Sequence, residues 1–159
     1  MNICGIDSST QRTGMSLFNL ETGDLLEVYC IDLHKVQDKE QRIDEMILEI
    51  CGVLDQWFPD VVYIEDTWNK NNIEVTKMLT TIIGGVRCWC LLNKRGFHKV
   101  LPSQWRSVVG LEKYGSKRKE FKQAAIEYIN KNYGLNVSDD EAEGILIGEA
   151  GVIIKSDIE

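Results

Sequence analysis

The chain has 159 residues, 43% apolar and 27% charged, with a formal net charge of −7. Those values suit one soluble domain with a real core, spanning residues 1–159. They argue against non-specific nucleic-acid binding by the chain as a whole, and no apolar run approaches the roughly 20 residues that span a bilayer. The start, MNICGID, lacks a basic region and an apolar core, so no signal peptide is expected. Five cysteines without a CxxC pair point to reduced, buried thiols in the cytoplasm. Cys88-Trp-Cys90 without a second pair is weak ground for zinc.

The charge is uneven. Residues 87–122 hold ten Lys or Arg against two Glu, whereas the rest of the chain holds eight against twenty-three. A basic segment in an acidic chain is either a solvated face or a surface for a polyanion.

Residues 2–20, NICGIDSSTQRTGMSLFNL, begin β-prone and reach Asp7 at the end of the first strand. A carboxylate at the end of a buried strand is costly unless something pairs with it, and a metal ion or a phosphate is the usual partner. Ser8, Ser9, Thr10 and Thr13 follow, hydroxyls able to meet phosphate oxygens. The same residues also read as a plain hairpin with an Asp-Ser-Ser turn. Residues 25–33 make a third strand after a Glu-Thr-Gly-Asp turn. Residues 36–58 are an amphipathic helix stopped by Pro59, with apolar residues at three- and four-residue steps and no evident chemistry.

Residues 60–65 form a short apolar strand that ends on Glu65, repeating the pattern that ends on Asp7. A helix over Ile73–Leu92 follows, with Gly84-Gly85 inside it. Two glycines there cost on the order of 1 kcal/mol each in helix propensity and allow another backbone to come close, in the same chain or in a second subunit. Residues 97–101 are a fifth strand, and Pro102 opens a short helix at a permitted early position. Residues 117–133 form a helix whose first turn is Lys117-Arg118-Lys119. Cations there oppose the helix dipole, so they serve something other than the helix.

The last helix opens on Ser138-Asp-Asp-Glu141, a capping box, and continues apolar nearly all round, as a buried helix does. Asp140 and Glu143, three apart, share one face. Capping explains the first acids but not Glu143, one turn inside. The order β-β-β-α-β-α-β-α-α is a mixed sheet flanked by helices.

Asp7, Glu65, Asp140 and Glu143 thus call for one explanation. Hard divalent cations take carboxylate oxygens, and two such ions roughly 4 Å apart assist phosphodiester hydrolysis. With Gly5-Ile-Asp7, Thr13-Gly14, Val62-Tyr-Ile-Glu65, Leu101-Pro-Ser-Gln-Trp105 and Asp140-Glu-Ala-Glu143 in this order, the chain resembles the RuvC-type Holliday-junction resolvases of the ribonuclease H-like superfamily. The resemblance covers nearly the full length. It implies an α/β fold with a five-stranded mixed sheet, and a homodimer that binds four-way DNA junctions and nicks opposed strands with Mg²⁺, for which Mn²⁺ substitutes. Two ions per active site are expected, with Asp7, Glu65, Asp140 and Glu143 as the metal-binding and catalytic acids. Trp68 falls in the loop that approaches the junction centre, and Arg106, Lys117, Arg118 and Lys119 in the region that holds DNA backbone.

The departures from the cellular enzymes are Ser8-Ser9 in place of Pro-Gly, Glu143 in place of Asp, and a shorter, more acidic chain. They suggest a divergent, phage-type branch. A one-residue slip at the start of the last helix would put Asp139 in the role of Asp140. Three functions stay open on the sequence: a junction resolvase, a ribonuclease H or fork and flap nuclease with the same acids, and a non-catalytic junction-binding protein.

Overall fold

The computed structural model describes residues 1–66, 72–114 and 117–156. The elements run β1 (Asn2–Asp7), β2 (Arg12–Asn19), β3 (Leu25–Asp32), α1 (Lys39–Trp57), β4 (Val61–Glu65), α2 (Ile73–Leu92), β5 (Gly96–Val100), α3 (Pro102–Val108), α4 (Arg118–Tyr133) and α5 (Asp139–Ser156), with a 3-10 turn at Glu112–Tyr114. The strands make one mixed sheet in the order β3-β2-β1-β4-β5. β1 and β2 are antiparallel, as are β2 and β3, whereas β4 runs parallel to both β1 and β5. This is the five-stranded mixed sheet that the sequence predicts. The short helix expected to open at Pro102 is present as α3, so among the described residues three helices follow β5, one more than the expected order counts.

Side chains alternate across a strand, so each strand feeds two cores. Cys4, Ile6, Val62 and Ile64 face α1 and α2, against Ile43, Met46, Ile50, Leu54, Ile82 and Val86. Ile3, Val61 and Tyr63 face the other way, against Trp105, Phe121, Ala125 and the apolar run Ala142 to Ala150. Continuing that alternation by two residues puts Asp7, after Ile3 and Gly5, on the α5 side. Glu65, after Val61 and Tyr63, falls on the same side. The parallel register, Ile6 opposite Ile64, brings both acids to one end of the sheet.

α5 lies on β1 and β2 at backbone contact. A Cβ on Gly5 would stand 2.2 Å from the Gly148 nitrogen, and one on Gly14 would stand 1.9 Å from the Asp140 carbonyl oxygen. The buried Ser16 hydroxyl donates to the Gly144 carbonyl at 2.8 Å, tying strand to helix. Only glycine permits so close an approach. The seam seats the first turns of α5 directly over the ends of β1 and β2.

The capping box of α5 is present: Glu141 accepts from the Ser138 backbone N–H at 2.8 Å, and Ser138 Oγ accepts from the Glu141 N–H at 3.3 Å. α1 begins three residues later than its apolar pattern predicts, because Asp38 caps it and accepts from the Gln41 N–H at 2.8 Å. α1 also does more than pack. Its buried Arg42 donates to the carbonyls of Thr10 (2.8 Å) and Val36 (2.6 Å), anchoring the turn that follows Asp7.

α2 matches its predicted bounds and divides its two glycines. A Cβ on Gly85 would meet the Ile47 side chain of α1 at 2.8 Å, whereas Gly84 has open space around it. By length and composition α2 is apolar enough to cross a membrane, at a mean hydropathy of 1.3, which the sequence expectation of no such run did not allow for. One stripe of it, including Met78, Ile82, Val86 and Cys90, is buried in the chain's own core.

Candidate active site

Asp7 at the end of β1, Glu65 at the end of β4 and Glu143 one turn inside α5 converge. One carboxylate oxygen from each lies within 4.8 Å of the others, and all three residues are half-buried. Two strands and one helix thus deliver the acids, and the glycine seam determines how near α5 brings the third. Asp140, one turn earlier on α5, is not in this trio. Its charged neighbours are Asp139, Lys122, Arg12 and Asp32, which places it toward the β2–β3 rim. Asp139 is ion-paired with Lys122 of α4. The two candidates for one role therefore have different surroundings, Asp139 engaged with α4 and Asp140 on the β2–β3 side, from where its charge still raises Asp7.

Gathering the acids has an electrostatic cost. Burial, then the charges of Glu143, Glu65 and Asp140, raise Asp7 well above the ordinary aspartate range. Burial and Glu65 push Glu143 up to about 7. Burial raises Glu65 as well, opposed by a hydrogen bond from Trp105 and by the charges of Arg106 and Arg118. Burial and Asp139 raise Asp140, whereas the bond from Lys122 lowers Asp139. Lys122 also opposes the rise at Asp7 and Glu143, so its ammonium counts at four of the five acids.

Of the hydroxyls after Asp7, those of Ser9 and Thr13 serve their own turn, a structural use where phosphate contacts were also open, whereas the buried Ser8 Oγ has no hydrogen-bond partner among the described residues. Ser9 Oγ accepts from the N–H groups of Gln11 (3.2 Å) and Arg12 (3.3 Å). Thr13 Oγ1 accepts from the Ser9 N–H at 3.2 Å.

The basic residues surround the acids unequally. Arg106 of α3 lies with its guanidinium 4.0 Å from the Phe121 ring centroid and acts on both Glu65 and Glu143. Arg118 acts on Glu65. Lys117 and Lys119 are exposed, and Lys117 pairs with Glu120 at 3.4 Å. Trp68 lies outside the described residues. Two residues to which the sequence assigned no site role, Lys122 and the motif residue Trp105, act on the acids. Lys122 carried a signal, since it stands four after Arg118 and therefore on the same helix face. Trp105 carried a weaker one: it lies on the helix that follows β5, the strand beside Glu65.

The donor set suits a hard divalent cation. Mg²⁺ binds oxygen at about 2.0–2.1 Å, so two oxygens on one ion stand roughly 3–4 Å apart, within a small side-chain movement of the observed spacing. A cation there would also offset the mutual repulsion of the acids.

No protein-family model matches the chain. It is similar to a crossover junction endodeoxyribonuclease RuvC from Caldicellulosiruptor saccharolyticus, 22% identical over 164 residues that cover 99% of this chain and 96% of the relative. Thermus thermophilus RuvC, solved in complex with Holliday junction substrate, superposes with a TM-score of 0.78 at 14% identity, over 99% of this chain and 96% of that one. This chain has the RuvC-type, ribonuclease H-like fold. The yeast mitochondrial Holliday junction resolvase shares that RuvC-type fold at a TM-score of 0.63 and 13% identity, over 98% of this chain and 81% of its own. At these identities the shared feature is the mixed sheet with helices on both faces.

Proposed function

We propose that the chain is a metal-dependent, structure-selective DNA endonuclease that resolves Holliday junctions and related branched DNA by paired nicks. The observation that carries this is the trio Asp7, Glu65 and Glu143, with carboxylate oxygens within 4.8 Å of one another on a RuvC-type fold. These three would hold the cation, with Asp140 completing a site for two ions, Mg²⁺ or in its place Mn²⁺. When bound, the ions supply charge stabilisation to an in-line displacement at phosphorus.

The chain's own residues do the rest. Arg106 and Lys122 flank the acids and hold the scissile phosphate. Lys117, Arg118 and Lys119 at the start of α4 hold the backbone beyond it, by neutralising phosphate charge. Trp68 stacks on a base near the junction centre. No side-chain nucleophile is needed, because water is the attacking group, and the products carry 5′-phosphate and 3′-hydroxyl ends.

The chain acts as one nuclease domain, in the cytoplasm, as a homodimer. The outward face of α2 supports the dimer: Ile73, Leu91 and Leu92 are 70%, 69% and 79% exposed, and Gly84 leaves room for a second backbone.

The deciding experiment is cleavage of a labelled four-way junction in Mg²⁺, beside a linear duplex, a fork and an RNA–DNA hybrid, with Glu65→Gln as control. Paired nicks across the junction, lost in the variant, are expected. Cutting mainly of forks or hybrids would change the substrate, and tight junction binding without any product would leave a binding protein.

A further inference from the structure

Among the described residues Trp105 is the largest fully buried side chain, at 0% exposure, yet its polar atom is aimed at the site. Its Nε1–H donates to Glu65 Oε2 at 2.7 Å. The indole is itself immobilised. It meets the Phe121 ring edge-on, with centroids 5.5 Å apart, and the Arg106 guanidinium lies 5.2 Å from its ring. The helix that carries it is pinned at its start, where Pro102 follows Leu101 and the Leu101 N–H donates to Gln104 Oε1 at 2.9 Å.

Glu65 has three side-chain torsions and stands at the end of a strand, so burial alone does not select its carboxylate orientation. A short hydrogen bond from a fixed donor does. We propose that Trp105 is a positioning residue for the candidate metal centre, its indole N–H holding the Glu65 carboxylate in the orientation from which it meets Asp7 and Glu143. The inference rests on the reading of the acidic trio as a cation site. It assigns a role to the last residue of the Leu101-Pro-Ser-Gln-Trp105 motif, beyond the acids and the DNA-facing cations.

The test removes the N–H and nothing else. Trp105→β-(3-benzothienyl)alanine keeps the bicyclic shape with sulfur in place of N–H, so the core stays filled and the thermal midpoint stays within a few degrees of the unmodified chain. Mn²⁺ binding by calorimetry is expected to weaken roughly tenfold or more, the range typical of lost outer-shell partners. Junction cleavage should lose kcat while KM for the junction is held. In the unmodified chain, the Trp105 indole N–H resonance should shift when Mg²⁺ is added.

Unchanged Mn²⁺ affinity in the isostere, with normal binding by the unmodified chain, would overturn the positioning role alone. An indole resonance that ignores Mg²⁺ would do the same, even if the isostere failed to fold. An unmodified chain that binds no Mn²⁺ would overturn the metal-centre reading itself.

Discussion

Near pH 7 Glu143 stands at its own midpoint, because burial and Glu65 raise it from the ordinary 4.5 to about 7. A carboxyl raised on folding binds more protons in the folded state, so its contribution to stability is complete below about 4.5 and is lost as pH climbs through 7. Asp7 shifts the same way, whereas the lowered acids Asp32 and Asp139 act only below the ordinary aspartate value. In chelator, the melting temperature should therefore fall by about 5 °C between pH 5 and pH 8. Mg²⁺ should remove most of the fall, and Glu143→Gln should lessen it, leaving the part that the raised Asp7 contributes. Scanning calorimetry across that range reads all three. Lys122 offers a second residue-scale test. Lys122→Met should lower single-turnover junction cleavage at least tenfold and leave Asp139 without its ion-pair partner, and Lys122→Arg should recover most of the rate. Asp7→Asn and Glu65→Gln should each abolish cleavage while junction binding persists in a mobility-shift assay.

At the scale of elements, α5 is the part on which the site depends. Two features that the sequence makes visible, its all-round apolar character and its glycines, have a joint consequence that only the packing reveals. Gly14→Ala places a methyl 1.9 Å from the Asp140 carbonyl oxygen, and strand and helix must separate to admit it. Loss of more than 10 °C in melting temperature, with loss of Mn²⁺ binding, is expected. Gly52→Ala is the matched control. Gly52 lies inside α1 with nothing within 4 Å of its Cβ position, so alanine should stabilise by about 0.5–1 kcal/mol through helix propensity. Denaturant titration of both variants separates a glycine that packing demands from one that packing ignores. α1 adds a similar lesson through Arg42. Its apolar periodicity describes a helix that packs on a sheet, yet its buried cation anchors the turn after Asp7.

For the whole molecule, the outward face of α2 is the test of assembly. Leu91→Glu together with Gly84→Glu should turn the proposed dimer into a monomer by light scattering at micromolar concentration. The fold of each protomer should survive, because neither position packs in the core. Paired cutting of a junction should then become uncoupled, with single nicks replacing double ones.

Alternation within strands, three- and four-residue steps within helices, Pro and Gly stops, and the Ser138–Glu141 box all lie within a few residues of one another. The sequence alone was therefore enough for the nine elements of its expected order, the mixed sheet, and the two strands that end on Asp7 and Glu65. Contacts between elements depend instead on register and on how closely two backbones approach. Tertiary structure alone decided that Asp139 turns to Lys122 and Asp140 to the rim, and that Gly85 packs on α1 and Gly84 faces outward. The same packing spends the Ser9 and Thr13 hydroxyls on their own turn and joins Trp105 to Glu65, 40 positions apart in the chain. A side chain's type limits what it can bond to, but its partner is selected by the surface that folding brings against it.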